Sequence, residues 1–224
     1  MGHRSLIPTR TTVKALAAGA LLTTLLGCQS AYYGAMEKVG VHKRDIMVDR
    51  IESVTEAQTE GQEQFSSALE QFSSIVKVGP SELQSVYDGL SDEYEDSAEA
   101  AAEISERIDA VENVSEALFS EWEEELELYG SASLRADSRR KLSATKAKYT
   151  KLMASMRRSE ASVKPVLSAM HDQVLYLKHN LNANAISALK GEAAAIKSDV
   201  EVLNRRMQDS IKESQSFINH LQSS

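Results

Sequence analysis

Five histidines, 33 carboxylates and a single cysteine are the side chains with which this chain of 224 residues could do chemistry. The histidines are poorly spaced for it. A di-iron bundle needs a Glu three residues before each ligating His on one helix face. The residues three before His42, His171, His179 and His220 are Val39, Ser168, Tyr176 and Phe217. There is no His-Glu-x-x-His, no Gly-x-Ser-x-Gly and no glycine-rich loop to cradle a phosphate. The carboxylates crowd so densely between Asp92 and Glu127 that proximity alone says nothing of acid–base pairing. Serines abound without a partnering base. These patterns predict no catalytic residues, no metal site and no cofactor, and so a protein that is not an enzyme.

The cysteine has a different prospect. Met1 to Lys14 is a basic leader, and Ala15 to Leu26 is an apolar run too short to span a bilayer but suited to the core of an export signal. The run ends in Leu25-Leu26-Gly27-Cys28, which resembles the bacterial lipobox, with Leu26 where Ala or Ser is commoner. There the thiol receives a diacylglyceryl group and becomes the first residue of the mature protein. The expectation is a cleaved lipoprotein signal peptide over 1–27, a lipid-anchored tether over 28–35 with Cys28 as its modified residue, and one helical domain over 36–224. Gln29 after the cysteine, rather than Asp, points to the outer membrane, with the protein facing the periplasm. Buried acyl chains contribute about 0.8 kcal/mol per CH₂, so two or three anchor firmly.

The elements that carry these residues are legible in charge and period. Between Ser91 and Leu128 there are fifteen Asp or Glu against one base, Arg107; between Ala132 and Lys164 there are ten Lys or Arg against two acids, Asp137 and Glu160. Leu83, Leu90, Ile104, Val111 and Leu118 repeat every seven residues on the acidic side, and Leu142, Tyr149, Met156, Val163, Met170 and Leu177 on the basic side. Such beats mark amphipathic helices. Folded back at Gly130-Ser131, the two would lie side by side, residue i near 261 − i, so that Glu112 to Glu127 pair with Arg135 to Tyr149. Exposed pairs contribute little singly, about 0–1 kcal/mol each, but many of one sense select this hairpin over others.

Two further helices flank that hairpin. The first is expected from about Met36, with Ile51, Phe65 and Phe72 at one heptad position and Val54, Ala68 and Ile75 beside them. Its seam weakens at Gln58, Gly61 and Gln62, which implies a buried polar layer or a thin waist. Gly79-Pro80 ends it, and Ser81 is positioned to cap the next helix. Pro165 lies inside the third helix and predicts a kink. The beat fails at Asn180 to Asn184 and resumes in a new phase with Leu189, Ile196, Leu203 and Phe217. A tight turn there, capped by Asn182 or Asn184, is favoured over one long helix with a stutter. The fold class expected is therefore all-α: an elongated antiparallel bundle or coiled coil of about four long helices.

Composition bounds the partners. Net charge is −8, and loss of the leader removes Arg4, Arg10 and Lys14 without any acid, so nonspecific nucleic-acid binding is not expected. Two polar clusters lie outside the paired halves. His42, Lys43 and Arg44 sit near the tether, where bases meet anionic headgroups, although a solvated helix face explains them as well. Lys178 and His179 sit at the second turn, where the asparagines answer to turn chemistry and the Lys-His pair does not. An envelope protein or the cell wall is the partner these features suggest, and leftover heptad faces leave self-association open.

These segments also carry a resemblance. Tyr32-Tyr33 leading into Glu37-Lys38, His42 to Asp45 with Asp49-Arg50, Leu118-Phe119 before Glu121-Trp122, and Leu175 to Ile186 together resemble a bacterial family catalogued as domain of unknown function 2959. The likeness covers nearly all of the expected mature chain. It implies an uncharacterised helical lipoprotein and brings no activity, ligand or catalytic residue with it. The functional expectation is a non-enzymatic, lipid-anchored periplasmic scaffold or adaptor, with a carrier of lipid or another hydrophobic ligand as the alternative.

Overall fold

The computed structural model of the chain describes Tyr33, Met36 and residues 40–74, 82–181 and 183–223. Among the described residues five helices have bounds: α1 (Lys43–Ser74), α2 (Leu83–Leu126), α3 (Ala132–Ala161), α4 (Val163–His179) and α5 (Ala183–Ser223). No strand occurs among the described residues. The chain divides into a small unit up to Asp45 and a bundle from Ile46 onward. In the small unit, Gly40 takes a left-handed φ of 86°, and the Val41 N–H bonds to the Met36 carbonyl at 3.0 Å. A left-handed φ favours glycine, and beyond it α1 is described from Lys43, a few residues after the expected start near Met36.

In the bundle, α3 and α4 form one rod broken by a single residue, Ser162. The expected kink is there, but it falls three residues before Pro165. A proline lacks the N–H that would bond to the carbonyl four residues back, and its ring crowds that carbonyl. For Pro165 that carbonyl belongs to Ala161, the last residue of α3. The Ser162 hydroxyl and N–H both bond to the Ser159 carbonyl, tightening the last turn. Counting α3 and α4 together, the bundle has four rods, each antiparallel to the next.

The hairpin of α2 and α3 closes as the charge pattern requires. The turn runs from Glu127 to Ser131, whose hydroxyl accepts from the Leu134 N–H at 3.4 Å, and the Arg135 guanidinium holds the Tyr129 carbonyl at 2.6 Å. Acid meets base across it: Lys146 with Glu123 at 2.6 Å, Arg139 with Glu127 at 4.0 Å, and Arg157 with Asp109 at 2.7 Å and Glu112 at 2.5 Å. The register departs from the simple mirror about Gly130. Trp122 bonds to Ser138 close to that mirror, but Ser105 bonds to Glu160 about one helical turn further along, and Phe119 meets Tyr149 edge-on about two turns further along. Packing of large rings, not turn length, sets the alignment beyond the first turn.

The second hairpin is also a turn, as expected. α4 ends at His179, where the Asn180 side-chain amide caps the Tyr176 carbonyl at 2.8 Å and its N–H bonds to the Leu177 carbonyl at 3.0 Å. α5 then starts at Ala183 and runs back along α3, bringing His220 within 3.2 Å of Thr145. Asn184 therefore lies inside α5 and not at its cap. Asn182, like Ser81, lies outside the described residues. The core is the heptad set read from sequence: Ile51, Phe65, Leu90, Ile104, Met156, Met170, Leu203 and Met207 are all fully buried.

The weak seam in α1 proves to be both a polar layer and a close approach. Gln58 is fully buried and donates to the Ser159 hydroxyl at 2.7 Å. Gln62 accepts from Gln208 of α5 at 2.8 Å. A Cβ on Gly61 would come within 2.8 Å of the Ile104 side chain, so only glycine lets α1 and α2 meet there without a shift.

Candidate functional site

Two small residues opposite a helix break open a concavity on the bundle. Ala101 and Ala102 of α2 face the stretch where α3 ends at Ala161 and α4 begins. Short side chains on one rod and a displaced backbone on the other leave an open groove of about 450 Å³. Its apolar surface comes from Ala101, Ala102, Val163 and Leu167, and its polar rim from Tyr94, Ser105, Glu160, Lys164, Ser168 and His171. That volume falls in the lower part of the range of small-ligand sites.

The rim is a structural clamp more than a reactive set. Ser105 donates to one Glu160 oxygen at 2.5 Å, and Arg157 bonds to the other at 3.1 Å while also holding Asp109 and Glu112. Desolvation pulls the Arg157 guanidinium down, but its hydrogen bonds to Asp109, Glu112 and Glu160 outweigh that and raise it above its ordinary value. Both Glu160 oxygens are thus engaged in tying α2, α3 and Arg157 together. His171 is exposed, with its ring tilted against Tyr94 at 5.2 Å between centroids. Among the described residues no three His, Cys, Asp or Glu converge on a point where a metal ion could sit.

The residues singled out in the sequence fall as follows. Cys28 lies outside the described residues, as does most of the tether. His42 is exposed and its carbonyl accepts from the Asp45 N–H at 2.9 Å, while Lys43 and Arg44 are half-buried in the first turn of α1. Lys178 and His179 are both exposed in the last turn of α4. Around them stand the exposed apolar side chains Leu175, Tyr176 and Leu181. A second groove, of about 460 Å³, runs between α4 and α5 just below that turn. At the opposite end of the bundle, Leu128 and Leu134 project from the α2–α3 turn.

Two parts of the first groove are visible in the sequence: the run of small residues from Ser97 to Ala102, which motivates the carrier alternative, and a proline in the facing helix. Only the register brings those two to the same level. No motif points to the groove between α4 and α5.

The chain thus defines itself as a four-rod antiparallel helical bundle in which no described helix is long and apolar enough to cross a membrane. The family model described as "Protein of unknown function (DUF2959)" matches residues 32–221, and the chain belongs to that family. No curated protein and no solved structure matches it.

Proposed function

We propose that this protein is a non-enzymatic helical scaffold or adaptor of the bacterial cell envelope, anchored through lipid on Cys28 to the outer membrane and facing the periplasm. The observation that carries this reading is the α4–α5 turn, which groups the exposed Leu175, Tyr176 and Leu181 with the exposed Lys178 and His179. The α2–α3 turn also exposes apolar side chains, Leu128 and Leu134, but the acids and bases of its hairpin answer one another within the chain. A rod of 48 residues over α3 and α4, about 70 Å long, ends at the α4–α5 turn. Exposed apolar side chains grouped at a loop are a common mark of partner docking.

The reading has two separable tests. Cys28→Ser should move the exported protein from the membrane to the soluble fraction; retention in the membrane would contradict the anchor. A photo-crosslinking residue in place of Lys178 should capture a discrete envelope protein or cell-wall fragment, whereas one at Glu106, on the exposed face of α2, should not. Equal capture from both positions would count against a specific docking end.

The groove at Ala101 and Ala102 favours the second reading, a carrier of a lipid or other hydrophobic ligand. Native mass spectrometry of the Cys28→Ser protein distinguishes it: a co-purifying lipid lost on Ala102→Trp supports a carrier, and a bare mass argues against one.

A further inference from the structure

The groove between α4 and α5 holds an unusual side chain. Gln173 stands at a seam position, a turn from each of Met170 and Leu177, where its neighbours are apolar. It is 3% exposed, and neither its amide nitrogen nor its amide oxygen has a hydrogen-bond partner. Buried amides are nearly always paired, because taking donor and acceptor from water without replacement is unfavourable. Gln58, the comparable glutamine of α1, at least donates to Ser159.

Gln173 also lines the groove, together with Ala169, Asp172, Tyr176, Leu189 and Glu192. A ligand offering an adjacent acceptor and donor would give the amide the partners it lacks, and rotation of the side chain toward the groove is the movement such a ligand would drive. A peptide group presents that pair. Asp172 and Glu192, both exposed, supply two negative charges on the rim, one from each helix. Tyr176 and Leu189 supply apolar surface.

We infer that the α4–α5 groove binds an extended peptide segment carrying a basic side chain, with Gln173 pairing to the peptide backbone and Asp172 and Glu192 meeting the cation. This rests on the adaptor reading, in that it names the chemistry of the partner. Its test uses purified protein and so fails or succeeds apart from the crosslinking result.

The probe is N-acetyl-Ala-Lys-Ala-amide, titrated into the ¹⁵N-labelled exported chain with Cys28→Ser. The readout is the side-chain NH₂ resonance pair of Gln173, assigned by its loss in Gln173→Leu. A saturable shift of that pair is expected, weakened at least tenfold by Asp172→Asn with Glu192→Gln, and absent with the Ala-Glu-Ala peptide. Gln173→Leu should weaken binding at least tenfold, followed through the backbone resonances of Tyr176 and Leu189, while leaving thermal stability equal or higher. The surface variants keep the test decisive should that core variant misfold. No saturable shift, equal response to the Glu peptide, or undiminished affinity in Gln173→Leu would overturn the inference. Spermidine matching the peptide in both affinity and Gln173 shift would overturn the peptide assignment.

Discussion

Two stretches of the bundle solve the same packing problem with opposite materials. Near the α2–α3 turn the core is aromatic: Phe119, Leu126 and Leu142 are buried together, with Trp122, Tyr129 and Tyr149 packed against them. Phe119 meets Tyr149 edge-on at 5.2 Å, Phe217 of α5 comes within 6.4 Å of the same ring, and Lys146 lies over Phe119. Halfway along, around Gln58, the seam is small and polar: Gln58, Gly61, Ser155, Ser159 and Ser162 are all buried. In the middle, α1 reaches all its neighbours: Gly61 lies against Ile104 of α2, Gln58 bonds to Ser159 of α3 and Gln62 to Gln208 of α5. Where rods approach that closely the seam uses glycine and short polar side chains, whereas rings fill the seam near the α2–α3 turn.

The comparison can be broken from its aromatic side first. Phe119→Ala removes the ring on which Tyr149 and Lys146 rest, and should cost about 3–5 kcal/mol in urea unfolding, the usual range for a buried Phe. Hydrogen exchange should rise first in 114–126 and 132–149; uniform acceleration along the bundle would show that the aromatic end is no separate layer. The polar side should respond with the opposite sign. Gln58→Leu removes a buried carbonyl oxygen that has no partner, while Ser159 keeps its bond to the Met156 carbonyl. A gain of about 1 kcal/mol is expected, read as a higher urea midpoint; a loss of that size would mean the Gln58–Ser159 bond outweighs the orphaned oxygen.

The smallest effect sharpens the boundary between the regions. Burial, reinforced by Glu112 and Glu116 and opposed by a Ser115 hydrogen bond and Arg157, raises the Tyr149 phenol above its ordinary 10.0. In the folded state the proton is therefore held more tightly than in the unfolded chain. The stabilisation is complete below pH 10 and is lost as pH rises from there through the folded pKa. Unfolding measured on either side of pH 10 should show that decline, and Tyr149→Phe should flatten it. An unchanged slope in the variant would place the phenol in a wetter setting than its neighbours suggest.

Much of this architecture was readable before any coordinates. Fifteen acids facing ten bases across Gly130 announce a hairpin, because like-charged rods could not lie together and opposite ones gain by doing so. The phase change at Asn180 to Asn184 favours the second turn, since the apolar face resumes at a new angle across an asparagine-rich segment suited to a cap. Gln58 and Gly61 showed as a gap in an otherwise regular stripe. The candidate sites were harder to read. The heptad repeat says which face of a rod is buried, but not which residue of the neighbour it meets; that alignment depended on where Phe119, Tyr149 and Phe217 could interlock.

Periodicity and charge alone therefore determined four antiparallel rods and the hairpin partners, because those depend on patterns summed over dozens of residues. Tertiary packing alone decided the register, the placing of the Pro165 break opposite Ala101 and Ala102, and the stranding of the Gln173 amide without partners. Each of those turns on a few atoms from helices far apart in the chain, and no local run of residues encodes a distance between rods.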